Sequence, residues 1–195
     1  IANIVPLSDV EVKILLNNFD NSYFGIRNKL MVMFMLDSGL RRGEVVNLES
    51  KNIFMHNNTM LVQGKGEKER LVPFGEETKR YINRYSHMRN EYEKRFFQKE
   101  DGTPITDNTI KMYFQDLKES TGIIRLHPHL LRHTFATNYI LYGGDVEELR
   151  ILLGHTSLQM TMKYVHLATQ QRILNQRYHS HIDKLFCQYD NKLAQ

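Results

Sequence analysis

The stretch Leu30-Met31-Val32-Met33-Phe34-Met35-Leu36-Asp37-Ser38-Gly39-Leu40-Arg41-Arg42-Gly43-Glu44 decides how this chain folds. Its first seven residues are all apolar. A helix that is hydrophobic all round is buried on most sides. The pattern therefore predicts a core helix from about Gly25 to Asp37. The run is far shorter than the roughly 20 apolar residues that cross a bilayer. Ser38-Gly39 ends the helix, and Gly43 to Leu48 reads as a short further one.

Upstream, Pro6 stops any earlier regular structure, and Ser8 and Glu11 have the spacing of a capping box. Val12, Leu15, Leu16 and Phe19 then recur at helical spacing. Downstream the period changes. Ile53-Phe54-Met55, Met60-Leu61-Val62 and Arg70-Leu71-Val72-Pro73 are short β-prone runs. His56-Asn57-Asn58 and Gly64-Lys65-Gly66-Glu67 are the turns between them. Together they predict a three-stranded antiparallel meander. Everything after Gly75 reads as helical apart from a polar loop over Lys99 to Pro104. Tyr81, Tyr85, Met88, Tyr92 and Phe96 form a core-facing stripe in that reading. Thr106 to Gly122, Pro128 to Leu141 and Asp145 to Gly154 follow as capped helices. Leu174, Tyr178, Ile182, Leu185 and Tyr189 mark a last amphipathic helix over about 168–189. The fold class is α+β and mainly α-helical, with one domain over 1–195.

Composition agrees with a globular domain. Of 195 residues, 41% are hydrophobic and 25% charged, which excludes disordered and collagen-like classes. The single cysteine, Cys187, excludes a disulfide framework and a cysteine-based zinc site, and fits a reducing, cytosolic compartment. No signal-peptide pattern opens the chain. The first residue is Ile1 rather than Met, so a fragment of a longer protein is expected. The net charge is +4, and residues 151–195 carry +3 of it with four of the nine histidines. A basic end suggests polyanionic partners.

Four clusters carry chemistry: Gly39-Leu40-Arg41-Arg42-Gly43-Glu44, Gly64 to Arg70, His129-Leu130-Leu131-Arg132-His133-Thr134, and Leu153-Gly154-His155 followed nine residues on by Tyr164. Singly, each is at home on an ordinary surface. Arg41 can pair with Glu44 along a helix, Lys65 can be a solvated turn lysine, and His129 and Arg132 share one helix face. Together they describe a phosphate site. Two guanidinium forks grip non-bridging oxygens. A lysine on a hairpin can protonate a leaving oxygen, and imidazoles can bond the phosphate or move a proton. A tyrosine hydroxyl can attack phosphorus and form a covalent intermediate. Fixed cations can stabilise the phosphoryl charge with neither a metal nor another cofactor.

These boxes, in this order and at separations of 24 residues from Arg41 to Lys65, 26 from His129 to His155 and 9 from His155 to Tyr164, resemble the tyrosine recombinase (phage integrase) family. The likeness runs from about Pro6 to Leu167. It takes in the family's G-L-R-x-x-E, G-K-G-x-K-x-R, H-x-x-R-H-T, L-G-H and Y-x-H patterns. The resemblance implies the family's C-terminal catalytic fold and assigns roles. Arg41 and Arg132 would clamp the scissile phosphate. Lys65 would be the general acid for the departing 5′ oxygen. His129 would exchange a proton near the nucleophile. His155 would bond a non-bridging oxygen. Tyr164 would be the nucleophile, leaving a 3′-phosphotyrosine. Glu44 would order the site, and Arg42, Lys68 and Arg70 would touch DNA. His133, one residue off the catalytic face, reads as structural. Arg150 and Met160-Thr161-Met162 depart from the family's usual residues.

The resemblance further implies double-stranded DNA as partner, a homotetramer on paired sites, and a bacterial or phage setting in the cytoplasm at the nucleoid. It implies no membrane, small-molecule substrate or cofactor. The family's N-terminal DNA-clamp domain is absent from the sequence, and the helix at 168–189 would dock on a neighbouring protomer or on its own domain. Integration or recombination for a mobile element or phage is the first expectation. A type IB topoisomerase-like nicking-closing enzyme and a non-catalytic DNA-binding regulator are the alternatives.

Overall fold

The apolar run lies buried at the centre, and the rest of the chain packs around it. The computed structural model describes residues 5–64 and 68–175. Helix α1 (Asp9–Asn17) begins at the expected box: Ser8 Oγ accepts from Glu11 N, and Glu11 accepts from Ser8 N at 2.8 Å. Helix α2 (Tyr23–Asp37) carries the apolar run, and Leu30 through Met35 are all buried. It packs against α4 (Glu76–Ser86) and α6 (Pro128–Leu141). Gly39 then turns the chain at φ +66°, a left-handed conformation that suits glycine. Helix α3 (Arg42–Asn47) starts directly after the turn.

The meander forms as expected. Strands β1 (Ile53–Phe54), β2 (Thr59–Gln63) and β3 (Glu69–Pro73) lie in the order β1-β2-β3, both pairs antiparallel. Met60 faces Val72 across β2 and β3, and both are buried, so one face of the hairpin joins the core. Helix α5 (Asp107–Thr121) ends at Gly122, φ +71°. Helix α7 (Val146–Leu153) ends at Gly154, φ +61°, and α8 (Gln159–Leu174) packs on α6 and α7. No helix among the described residues is long and apolar enough to cross a membrane.

Two expectations need correction. Residues after Ser86 leave the helix, so the stripe ends at Tyr85: Met88 is exposed and Tyr92 is 87% exposed. Side chains take over the bonding that a helix would supply. The Arg89 guanidinium donates to the carbonyls of Glu93, Arg95 and Phe96. Gln98 accepts from Asn90 N and donates to Asn90 O, while bridges join Glu49 to Arg95 and Gln98 to Pro104. Phe96 and Phe97 still reach the core, through this irregular segment, and pack on Phe34 and Tyr85. Second, the last described helix begins nine residues before Ala168, so Tyr164 lies within α8 rather than ahead of a terminal helix. The part of the expected 168–189 helix beyond residue 175 lies outside the described residues, as does Lys65.

Candidate active site

The site collects at the ends of α2, α6 and α7 and on the buried side of α8. Arg132 is set by α6, whose start is dictated locally. Pro128 stands at the first helical position, where no amide donor is needed, and His127 caps the turn through Nδ1, which accepts from Leu130 N. Arg132 is only 5% exposed. Its Nη1 donates to Gly39 O and its Nη2 to Leu153 O, each at 2.5 Å. One guanidinium thus ties the turn after α2 to the end of α7. Burial, with Arg41 nearby, lowers its pKa to about 9, so it remains a cation at neutral pH.

Arg41 caps α3 and is more open, with 35% of its side chain exposed. Its backbone N donates to Glu44 Oε2 at 2.7 Å and its Nη1 to Glu44 Oε1 at 2.9 Å. Glu44 also receives both terminal nitrogens of Arg70, at 2.8 and 2.9 Å. Burial works to raise this carboxyl; the bonds and charge of Arg70, then Arg41 N and Arg132, outweigh it and hold the group below its ordinary value. Arg70 is therefore not at a DNA-facing surface as expected. Its side chain is 8% exposed, and its Nε donates to Leu152 O at 2.6 Å. A buried carboxylate beneath β3 draws it inward, where it fastens the hairpin to α7. Arg42 pairs with Asp107 at 3.0 Å and keeps a third of its side chain exposed, while Lys68 is exposed.

His155 follows the αL glycine that ends α7. Arg150 grips this turn: its O accepts from His155 N, and its Nη1 donates to His155 O at 2.9 Å. The imidazole Nδ1 lies 2.9 Å from Thr161 Oγ1 on α8. Burial first, then the cations Arg132, Arg41, Lys163 and Arg70, push its pKa down to about 4. His129 sits exposed in the first turn of α6. Burial and the neighbouring Arg132, Arg42, Arg41 and Lys163 lower its pKa too.

Tyr164 is 1% exposed and lies with its ring stacked near His155, centroids 6.4 Å apart and planes 14° from parallel. Burial raises its hydroxyl to about 12, against the pull of Arg132 and Arg41. Lys163 Nζ sits 4.9 Å from the centre of the Tyr164 ring. The imidazole bonded to the Tyr164 hydroxyl is that of His133, with Nδ1 2.6 Å from Oη. Sequence reasoning set His133 aside as structural. The signal that could have found it is its place, one helical step from Arg132 and facing the helix that carries Tyr164. Arg41, Glu44, Arg132, His155 and Tyr164 therefore gather in one place, with His129 at its edge; Lys65 lies outside the described residues.

The phage integrase family profile matches residues 7–171. Tyrosine recombinase XerC of Staphylococcus epidermidis is 36% identical over 155 residues, 75% of this chain and 51% of that protein. The chain thus spans about half the length of the curated relatives it matches. The crystal structure of XerA recombinase superposes with a TM-score of 0.78 at 29% identity, covering 90% of this chain and 66% of the other. The catalytic domain of bacteriophage HP1 integrase superposes with a TM-score of 0.63 at 25% identity, covering 84% of this chain and 88% of the other. A mainly helical domain with a three-stranded sheet, the two arginines braced around Glu44 and the matched family profile lead to one assignment: the chain belongs to the phage integrase family, among relatives named tyrosine recombinases.

Proposed function

We propose that this chain cuts and rejoins double-stranded DNA at specific sites through a 3′-phosphotyrosyl intermediate, with Tyr164 as nucleophile. The observation that carries the reading is Tyr164 beside His155, under the charge of Arg132 and Arg41. The two guanidiniums take the non-bridging oxygens of the scissile phosphate, where negative charge builds in the transition state. Attack by Tyr164 Oη forms the O–P bond, and the P–O5′ bond breaks. Lys65 delivers the proton to the leaving oxygen. His155, neutral near pH 7, hydrogen-bonds a phosphoryl oxygen, and His129 exchanges a proton at the open edge. The phosphotyrosyl linkage conserves the bond energy, so attack by a 5′-hydroxyl rejoins a strand without ATP.

Copies of the chain act as a tetramer on paired sites, in the cytoplasm at the nucleoid, and the element served is mobile or phage-borne. The likeness to a phage integrase supports the phage-borne reading of the element, while the more similar XerC and XerA recombinases support recombination without it. Exposed Lys68 and the open side of Arg42 contact the DNA backbone.

The test uses a pool of nicked duplexes of randomised sequence, in which a short strand diffuses away after cleavage. Wild-type chain should give a slow band on a denaturing gel, and Tyr164→Phe should give none while still shifting the duplexes on a native gel. An adduct that survives Tyr164→Phe refutes the assignment. Lys65→Ala should be much less impaired on duplexes with a 5′-bridging phosphorothiolate, whose leaving group needs no acid. Equal impairment on both substrates rejects Lys65 as the acid.

A further inference from the structure

The nucleophile of the proposed reaction has to lose a proton, and the structure offers one imbalance that bears on how. His129 occupies the exposed first turn of α6, whereas His133, a turn further on, bonds the reacting oxygen itself at 2.6 Å. His133 adjoins Arg132 on the same helix, so the group that holds the hydroxyl and the group that holds the phosphate are fixed by one rigid element. Its ring lies 5.6 Å from the Tyr164 ring, and both are largely covered. We propose that His133 is a further catalytic residue, the base that receives the Tyr164 proton as DNA is cut and returns it when the strand is rejoined. The inference rests on the reading of Tyr164 as the nucleophile.

The Tyr164 Oη–H bond breaks and its proton passes to His133 Nδ1. Oη–P forms, P–O5′ breaks, and the leaving oxygen takes its proton from the general acid. Rejoining reverses each step, with the imidazolium protonating the departing phenol oxygen. The imidazole must be neutral beforehand with its other nitrogen, Nε2, carrying the hydrogen, so that the phenol donates and Nδ1 accepts.

The surroundings make this base dependent on substrate. Burial above all, then Lys163 of α8 and His129, Arg132 and His127 of α6 and its cap, lower the His133 pKa to about 4. A group so weakly basic cannot deprotonate a phenol raised to about 12. The phosphodiester entering between Arg132 and Arg41 brings a negative charge to the cations that suppress the imidazolium. The same charge makes the protonated imidazole more favourable, by ordinary Coulomb attraction in a poorly solvated site. The same charge weakens the pull of Arg132 and Arg41 on the phenol and disfavours a free phenolate, so the proton passes to His133 as Oη–P forms rather than before it, and the phenol stays protonated and inert until DNA is in place.

The experiment compares adduct formation on the randomised nicked duplexes by wild type, His133→Ala and His133→Asn, each checked for a cooperative thermal transition above the assay temperature. Each is then repeated with 3,5-difluorotyrosine at position 164. The Asn amide can still accept from the phenol but cannot take its proton. General-base catalysis contributes about 10²- to 10⁴-fold. Both variants should therefore form adduct slower by about that factor. The deficit should shrink with difluorotyrosine, whose more acidic phenol depends less on a base. Full rate in His133→Asn, or a deficit unchanged by fluorination, would reduce His133 to a packing role and overturn the proposal. Should the wild type form no Tyr164-dependent adduct on duplexes it binds, the nucleophile assignment fails and this inference with it. That result is distinct from a normal wild type beside a normal variant.

Discussion

Glu44 is the carboxylate that joins the start of α3 to β3, and its removal should be costly in a way that can be calculated. It is 6% exposed and accepts four hydrogen bonds, two from Arg41 and two from Arg70. The Arg41 pair is partly open to water and is worth little, about 0–1 kcal/mol. The Arg70 pair is not, because both side chains are under a tenth exposed. Breaking a buried pair by removing one partner leaves an uncompensated buried charge and costs about 3–5 kcal/mol. In a domain of this size each kcal/mol lowers Tm by roughly 2–4 °C. Glu44→Ala should therefore destabilise by about 3–5 kcal/mol. Urea unfolding followed by far-UV circular dichroism measures this. The pair Glu44→Leu with Arg70→Met should recover much of the loss, since apolar replacement of a buried pair is often neutral. A cost for Glu44→Ala below about 1 kcal/mol, or a double variant no better than the single, would refute the reasoning that the pair is desolvated.

Gly39→Ala combines a left-handed φ with a Cβ that would lie 2.4 Å from Phe135 Cδ1, whereas a Cβ at Gly43 meets nothing within 4 Å. The first should cost about 2–4 kcal/mol, and the second should be neutral or slightly stabilising, since Ala favours helix over Gly; equal effects on thermal unfolding would contradict the turn geometry. Tyr164→Phe gives up one bond to His133 and should lose about 1 kcal/mol in the same assay. Acid should also act on the site. His133 and His155 both titrate near 4 in the folded chain against about 6.5 unfolded, so the unfolded state binds more protons across that window. Stability should rise with pH from about 4 to 6.5 and fall on acidification through it, and replacing both histidines should flatten that slope in urea titrations.

Much of the fold and the site could be read in advance because the deciding signals are local. The Ser8–Glu11 box, the apolar run of α2, Pro128 at the start of α6 and the glycines after α5 and α7 each act within a turn or two of themselves. The segment from His87 to Gln98 could not be read this way. The spacing of Met88, Tyr92 and Phe96 continues the stripe of α4 and imitates a helix, while the conformation is set by Arg89 and Gln98 bonding carbonyls and amides of an irregular chain. Arg70 misled for a related reason. A cation on a hairpin is usually solvated, and only the fold brings Glu44 beneath it. His133 shows the same limit at the centre of the site. Its neighbour Arg132 is recognisable by motif, but the bond to Tyr164 joins residues 31 apart and exists only once α8 lies along α6.

The most direct test of the whole account is the chemistry of the covalent adduct. Wild-type chain would be incubated with the nicked duplex pool, the adduct digested with protease, and the DNA-linked peptide sequenced by mass spectrometry. The account predicts a nucleotide joined through its 3′-phosphate to the Tyr164 oxygen. A 5′-linked nucleotide, a linkage to any other residue, or no adduct from protein that binds the duplexes would contradict it.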